Sequence, residues 1–101
     1  MHIKLMESAL QTHPDKTAVV NGRLELREEY MDMSRMQDDD LRGMRTSFMA
    51  LYIEKVKEFT ALGDNRYATP EGVEVRRDMD YYDGLLRRLE CEMACRMLPL
   101  A

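Results

Sequence analysis

The chain has 101 residues, of which 45% are hydrophobic and 34% are charged, which suits one small folded domain over residues 1–101 and leaves too little chain for two. Its 15 basic and 19 acidic residues give a net charge of −4, which argues against direct nucleic-acid binding and against binding to an anionic membrane. Two cysteines cannot build a disulfide framework, and no apolar run is long enough for a membrane span. We therefore expect a cytoplasmic protein.

The N-terminal segment, residues 1–26, is interpreted as a cover for the rest of the domain. Ile3, Met6 and Ala9 have the spacing of a short amphipathic helix. Residues 16–26 leave two alternatives open. Asn21-Gly22 between β-branched residues is typical of a two-residue β-hairpin turn, but the same stretch would also serve as a tight loop between two helices.

A first long helix is predicted over residues 27–62. Its apolar residues recur at steps of three and four, as in Leu41, Met44 and Phe48. The weak part is Asp38 to Gly43, because adjacent carboxylates repel and glycine disfavours a helix interior. We interpret the region as one continuous but strained helix; the alternative is two helices, with Asp40 capping the second.

A second long helix is predicted over residues 70–98. Thr69 suits the N-cap position and Pro70 suits the first helical position. Apolar residues then follow at heptad spacing, as in a coiled coil, from Val75 to Met93. Because the connector is short, the two helices should form an antiparallel hairpin. The predicted fold class is mainly α: an antiparallel hairpin of two long helices with a short N-terminal helix and, as one of the two alternatives above, a small β-hairpin at residues 16–26.

We predict no catalytic, cofactor-binding or metal-binding residue. Cys91 and Cys95 lie one helical turn apart, but two ligands do not make a structural zinc site, and packing against a second face is the preferred interpretation. The run Asp38 to Asp40 lacks calcium-loop spacing and is interpreted as a solvated acidic corner. No nucleophile motif or phosphate-binding loop is present, so we do not expect an enzyme.

The composition instead favours protein binding, because the chain holds ten methionines and no tryptophan. Methionine is flexible and suits surfaces that adapt to a partner. Several apolar residues lie off the main helical faces, where a two-helix hairpin cannot bury them. Together with the acidic corner, they form the predicted partner-binding set: Met31, Met36, Asp38, Asp39, Asp40, Met49, Tyr81, Leu85, Cys95 and Leu98.

Two functions follow as hypotheses. The first is a small helical protein–protein interaction module, such as an adaptor, a chaperone-like protein or a regulatory subunit, that docks on an unidentified protein or associates with itself through its Met- and Leu-rich stripes. The alternative is a mobile-element-encoded inhibitor or modulator of a host nucleic-acid enzyme, which would bind that enzyme through its acidic and apolar surfaces.

Overall fold

The computed structural model describes residues 2–100. Three helices, one two-stranded sheet and three single turns of 3₁₀-helix follow in chain order. They are α1 (His2–Thr12), β1 (Thr17–Val20), β2 (Arg23–Leu26), 3₁₀ turns at Glu28–Tyr30 and Met33–Arg35, α2 (Asp38–Ala61), a 3₁₀ turn at Gly63–Asn65, and α3 (Pro70–Cys95).

Helices α2 and α3 pack against each other as an antiparallel hairpin, which confirms the predicted fold class. Their facing sides supply most of the core, with Phe48 and Tyr82 as its largest fully buried side chains. Among residues 2–100, no helix is long and apolar enough to cross a membrane.

The predicted start of α3 is confirmed. The Thr69 side chain accepts a hydrogen bond from the Gly72 amide at 3.1 Å, and Pro70 occupies the first turn. The helix ends at Cys95, three residues before the predicted end. Met97 takes a left-handed φ of 59°, and the Leu98 amide donates back to the carbonyl of Met93 at 2.8 Å, which closes the last turn.

The prediction of a continuous helix over residues 27–62 is wrong, because α2 begins at Asp38. Gln37 is the N-cap residue of α2. Its backbone amide donates to the Asp40 side chain at 3.2 Å, and its own side chain accepts from the backbone amide of Asp40, the third residue of the helix. The two bonds form a capping box. The three carboxylates therefore fill the first turn, where the positive end of the helix dipole stabilises them. The alternative, with Asp40 itself as the cap, placed the boundary in the right region but on the wrong residue.

Residues 28–36 form two 3₁₀ turns rather than a helical extension, and Arg96 holds them against α3. One guanidinium nitrogen of Arg96 donates to the carbonyl oxygens of Met33 and Ser34, each at 3.1 Å. Another donates to Asp38 at 3.0 Å. The segment buries Met33 and Met36 in the core, so turns satisfy the same apolar spacing that suggested a helix.

Helix α1 packs on α2, and within residues 16–26 the stretches Thr17–Val20 and Arg23–Leu26 form the two strands of an antiparallel hairpin. Asn21 and Gly22 have φ values of 52° and 75°, as a two-residue hairpin turn requires, and Thr17 pairs with Leu26. Two neighbouring tyrosines of α3 hydrogen-bond the backbone of β2. The Tyr82 hydroxyl accepts from the Leu24 amide at 3.4 Å, and the Tyr81 hydroxyl accepts from the Leu26 amide at 3.0 Å.

Candidate functional site

The structure divides the predicted partner-binding residues into a buried group and an accessible group. Met36 and Leu85 are each only 3% exposed and belong to the core, so the prediction that both lie on an exposed stripe is wrong. The reason is that residues 2–36 add a second layer to the helical hairpin. Met49 and Leu98 are half-buried and also pack on the core, but on other parts of the molecule.

The acidic corner is largely used by the fold itself. Asp38 pairs with Arg96 at 3.0 Å, and Asp40 closes the capping box and lies 3.9 Å from Lys16. Asp39 is almost fully exposed and lies 3.3 Å from Arg42 on the next turn. These carboxylates therefore stabilise the start of α2, and Asp39 is the one that faces solvent freely.

Four of the predicted residues, Met31, Tyr81, Leu85 and Cys95, do converge on one concave surface. It runs along α3 beside the 3₁₀ turns and consists of two adjoining cavities of about 420 and 280 Å³. Both cavities are lined by Met31 and Arg88. The surface exists because residues 28–36 are not helical and leave one side of α3 uncovered. We call it the α3 groove and define it by Met31, Asp80, Tyr81, Gly84, Leu85, Arg88, Cys91 and Cys95.

Both cysteines face this groove as exposed free thiols. The interpretation that they pack as small apolar residues against a second face is therefore wrong, since no element of residues 2–100 covers them. No group of three or more His, Cys, Asp or Glu side chains in residues 2–100 is arranged to hold a metal ion.

Three charged side chains that line the groove lack a charged partner within the described chain. One of them, Asp32, instead accepts hydrogen bonds from the amide and the hydroxyl of Ser34. Asp80 lines the smaller cavity and forms no ion pair with residues 2–100. Arg88 meets no carboxylate in that part of the chain; its guanidinium donates to the carbonyl oxygen of Met31 at 2.6 Å. By contrast, the neighbouring Arg87 pairs with Asp83 at 3.2 Å. Asp80 and Arg88 are therefore the charges available to an incoming molecule.

Gly84 lies between these two charges, on the exposed side of α3. A Cβ atom built on it would meet no other atom within 4 Å, so nothing in the described chain requires glycine there. Glycine in a helix interior costs about 1 kcal/mol relative to alanine. Sequence reasoning missed Gly84, Asp80 and Arg88, although the interior glycine was a signal that the sequence already contained.

Other polar groups lie away from the groove and serve the core. Nε2 of His2 is 3.0 Å from the Tyr82 hydroxyl, and Nζ of Lys55 lies between Asp78 at 3.4 Å and Glu58 at 3.1 Å. Burial lowers the pKa of His2 and raises the pKa of Tyr82. Burial therefore favours the neutral form of both groups.

No known family model, curated protein or solved structure matches this chain.

Proposed function

We propose that this chain is a small protein–protein interaction module that binds a partner through the α3 groove. The observation that supports the proposal is the groove itself. It combines apolar side chains, two exposed thiols and two unpaired opposite charges on one face of a helix. Exposed apolar surfaces rimmed by polar groups are typical of protein-binding sites.

The form of the groove favours a helix as the bound element. From Asp80 to Cys95 it follows α3 for about 22 Å, which is roughly four helical turns. A second helix laid beside α3 would place apolar side chains in both cavities at intervals of three and four residues. It would bury Tyr81 and Met31 further and pair its own charges with Asp80 and Arg88.

We propose that the protein acts by binding rather than by catalysis, as an adaptor, a chaperone-like protein or a regulatory subunit. The proposal also includes a cytoplasmic location, because two exposed free thiols persist best in a reducing compartment.

The alternative of a mobile-element-encoded enzyme inhibitor is less well supported by the geometry. That hypothesis needs an acidic surface that competes for a basic groove, and Asp38 and Asp40 already have basic or backbone partners within the chain. We therefore place the binding surface at the α3 groove and not at the start of α2.

Site-specific photo-crosslinking in the cells that naturally produce the protein tests this assignment. A benzophenone amino acid replaces Arg87, at the rim of the larger cavity, or Lys57, an exposed residue of α2 outside the groove. We expect discrete adducts of one or a few masses from position 87 and none from position 57. Adding Cys91→Glu should remove the adducts from position 87. Equal crosslinking from both positions, or adducts unaffected by Cys91→Glu, would contradict the proposal.

A further inference from the structure

Seven of the exposed residues of α3 lie along one side of the helix, at spacings that are symmetric about the middle one. They are Val73, Arg77, Asp80, Gly84, Arg88, Cys91 and Cys95, at steps of four, three, four, four, three and four. Gly84 is the midpoint of this series. A face with that symmetry can meet an identical face when the second helix runs antiparallel and the two-fold axis passes through Gly84, because each position before the axis then meets its equivalent after it.

We propose that a second copy of this chain occupies the α3 groove, in an antiparallel pairing of the two α3 helices about Gly84. The inference rests on the proposed function, because it names the partner for the same surface. In this arrangement Asp80 of each copy faces Arg88 of the other, and Val73 of each copy covers Cys95 of the other. Val73 is 48% exposed in the single chain, so the pairing removes apolar surface from water at both ends.

Charge decides the direction of the pairing. An antiparallel arrangement brings Asp80 against Arg88 twice, and each of these side chains lacks an ionic partner in its own chain over residues 2–100. A parallel arrangement in register would bring Asp80 against Asp80 and Arg88 against Arg88, which is repulsive. The guanidinium of Arg88 has five N–H donors, so its bond to the Met31 carbonyl leaves others for a carboxylate.

Gly84 suits the crossing point. The position where two helices lie closest tolerates least side-chain volume, and glycine allows the closest backbone approach. Its Cβ direction points into open space in the single chain, so the pairing explains a residue that the fold of one chain does not require. In this pairing Cys91 faces Arg77 of the second copy and Cys95 faces Val73, and the small cysteine side chains leave room for these larger residues.

Analytical ultracentrifugation of charge-reversal variants tests the pairing. We expect the natural chain to dimerise at concentrations below about 500 μM. Asp80→Arg alone and Arg88→Asp alone each place like charges opposite one another, and each should raise Kd at least about tenfold. The double variant Asp80→Arg/Arg88→Asp restores opposite charges and should return Kd to within about threefold of the natural value.

Matched controls separate this effect from changes in folding or net charge. Glu7→Arg and Lys57→Asp reverse exposed charges on α1 and α2, and should leave Kd unchanged. Circular dichroism must show the same helix content for every variant. A chain that stays monomeric at about 500 μM, or a double variant no better than its single parents, overturns the inference.

Disulfide trapping gives a second, independent measurement. In a Cys91→Ser/Cys95→Ser background, Gly84→Cys places one thiol on the two-fold axis, and mild oxidation should yield a covalent dimer. Thr60→Cys, exposed on α2, should stay monomeric in the same background. Failure of Gly84→Cys to crosslink faster than Thr60→Cys contradicts the antiparallel pairing. Photo-crosslinked adducts of a different mass, with a monomeric chain in solution, would reject the second copy and leave the proposed function standing.

Discussion

The imidazole ring of His13 packs against the backbone of Gly43, which lies in the second turn of α2. A Cβ atom on Gly43 would lie 2.9 Å from Cε1 of His13, closer than side-chain carbons come in folded proteins. His13 is only 7% exposed, and its Nε2 has no hydrogen-bond partner within residues 2–100. The glycine that weakens a helical pattern in the sequence therefore makes room for the histidine that joins α1 to α2.

We expect Gly43→Ala to destabilise the protein by about 1 kcal/mol, although alanine is the better helix former by a similar amount. The added methyl group must displace a buried ring. In a His13→Ala background the obstacle is absent, and Gly43→Ala should instead stabilise by up to about 1 kcal/mol. Urea denaturation of the four proteins in this double-mutant cycle measures the sign. Equal effects of Gly43→Ala in both backgrounds would show that the ring does not constrain the helix.

Stability should fall as the pH is lowered from 7.5 to 5.5. Burial lowers the pKa of His13 and of His2 below the ordinary value of 6.5. In the unfolded chain both imidazoles take up protons as the pH falls through 6.5, while in the folded chain they stay neutral to lower pH. Protons thus favour the unfolded state, and stability present above pH 6.5 is lost through this window.

Denaturant unfolding at both pH values measures this loss, and His13→Gln provides the control. Removing the titrating ring should make the pH dependence shallower, because only His2 then contributes. A loss of stability equal to that of the natural chain would indicate that other groups are responsible.

Tyr82→Phe should cost about 1–2 kcal/mol of folding free energy. The substitution keeps the ring in the core but removes the oxygen that accepts from the Leu24 amide and lies 3.0 Å from Nε2 of His2. Both groups then lose a partner in a buried environment. Tyr67→Phe is the matched control, because Tyr67 is 62% exposed and contacts Phe59 through its ring. Thermal unfolding should separate the two variants clearly, and equal midpoints would argue against a structural role for the Tyr82 hydroxyl.

Arg96→Ala should release the 3₁₀ turns that form one wall of the α3 groove. Arg96 donates to the carbonyl oxygens of Met33 and Ser34. Its side-chain hydrogen bonds to Glu92, and to a lesser extent to Asp38, raise its pKa. Hydrogen–deuterium exchange should speed up at residues 33–37 and stay unchanged in the middle of α3. Arg35→Ala, at an exposed arginine of the same segment, should leave exchange as it is. Similar exchange in both variants would mean that core packing of Met33 and Met36 alone holds the segment.

The sequence by itself determined those features that depend on interactions between residues close together in the chain. Thr69 and Pro70 define the start of α3, because a cap acts on the amides of the next turn. Asn21-Gly22 favoured a hairpin turn, because both residues accept positive φ, but the sequence left a tight loop open as the alternative and the structure decided between them. The heptad spacing of α3 and the short connector then lead to an antiparallel pair of helices, which the structure confirms.

Only the tertiary structure decided where α2 begins and which apolar residues remain accessible. Apolar spacing over residues 27–37 suits a helix, but 3₁₀ turns bury the same side chains, and the carbonyl of Met33 in the second turn is hydrogen-bonded by Arg96, more than fifty residues away. Leu85 is buried and Cys95 is exposed for a related reason. The layer that covers Leu85 but not Cys95 is built from a distant part of the chain. Burial is therefore decided by neighbours in space rather than by neighbours in sequence.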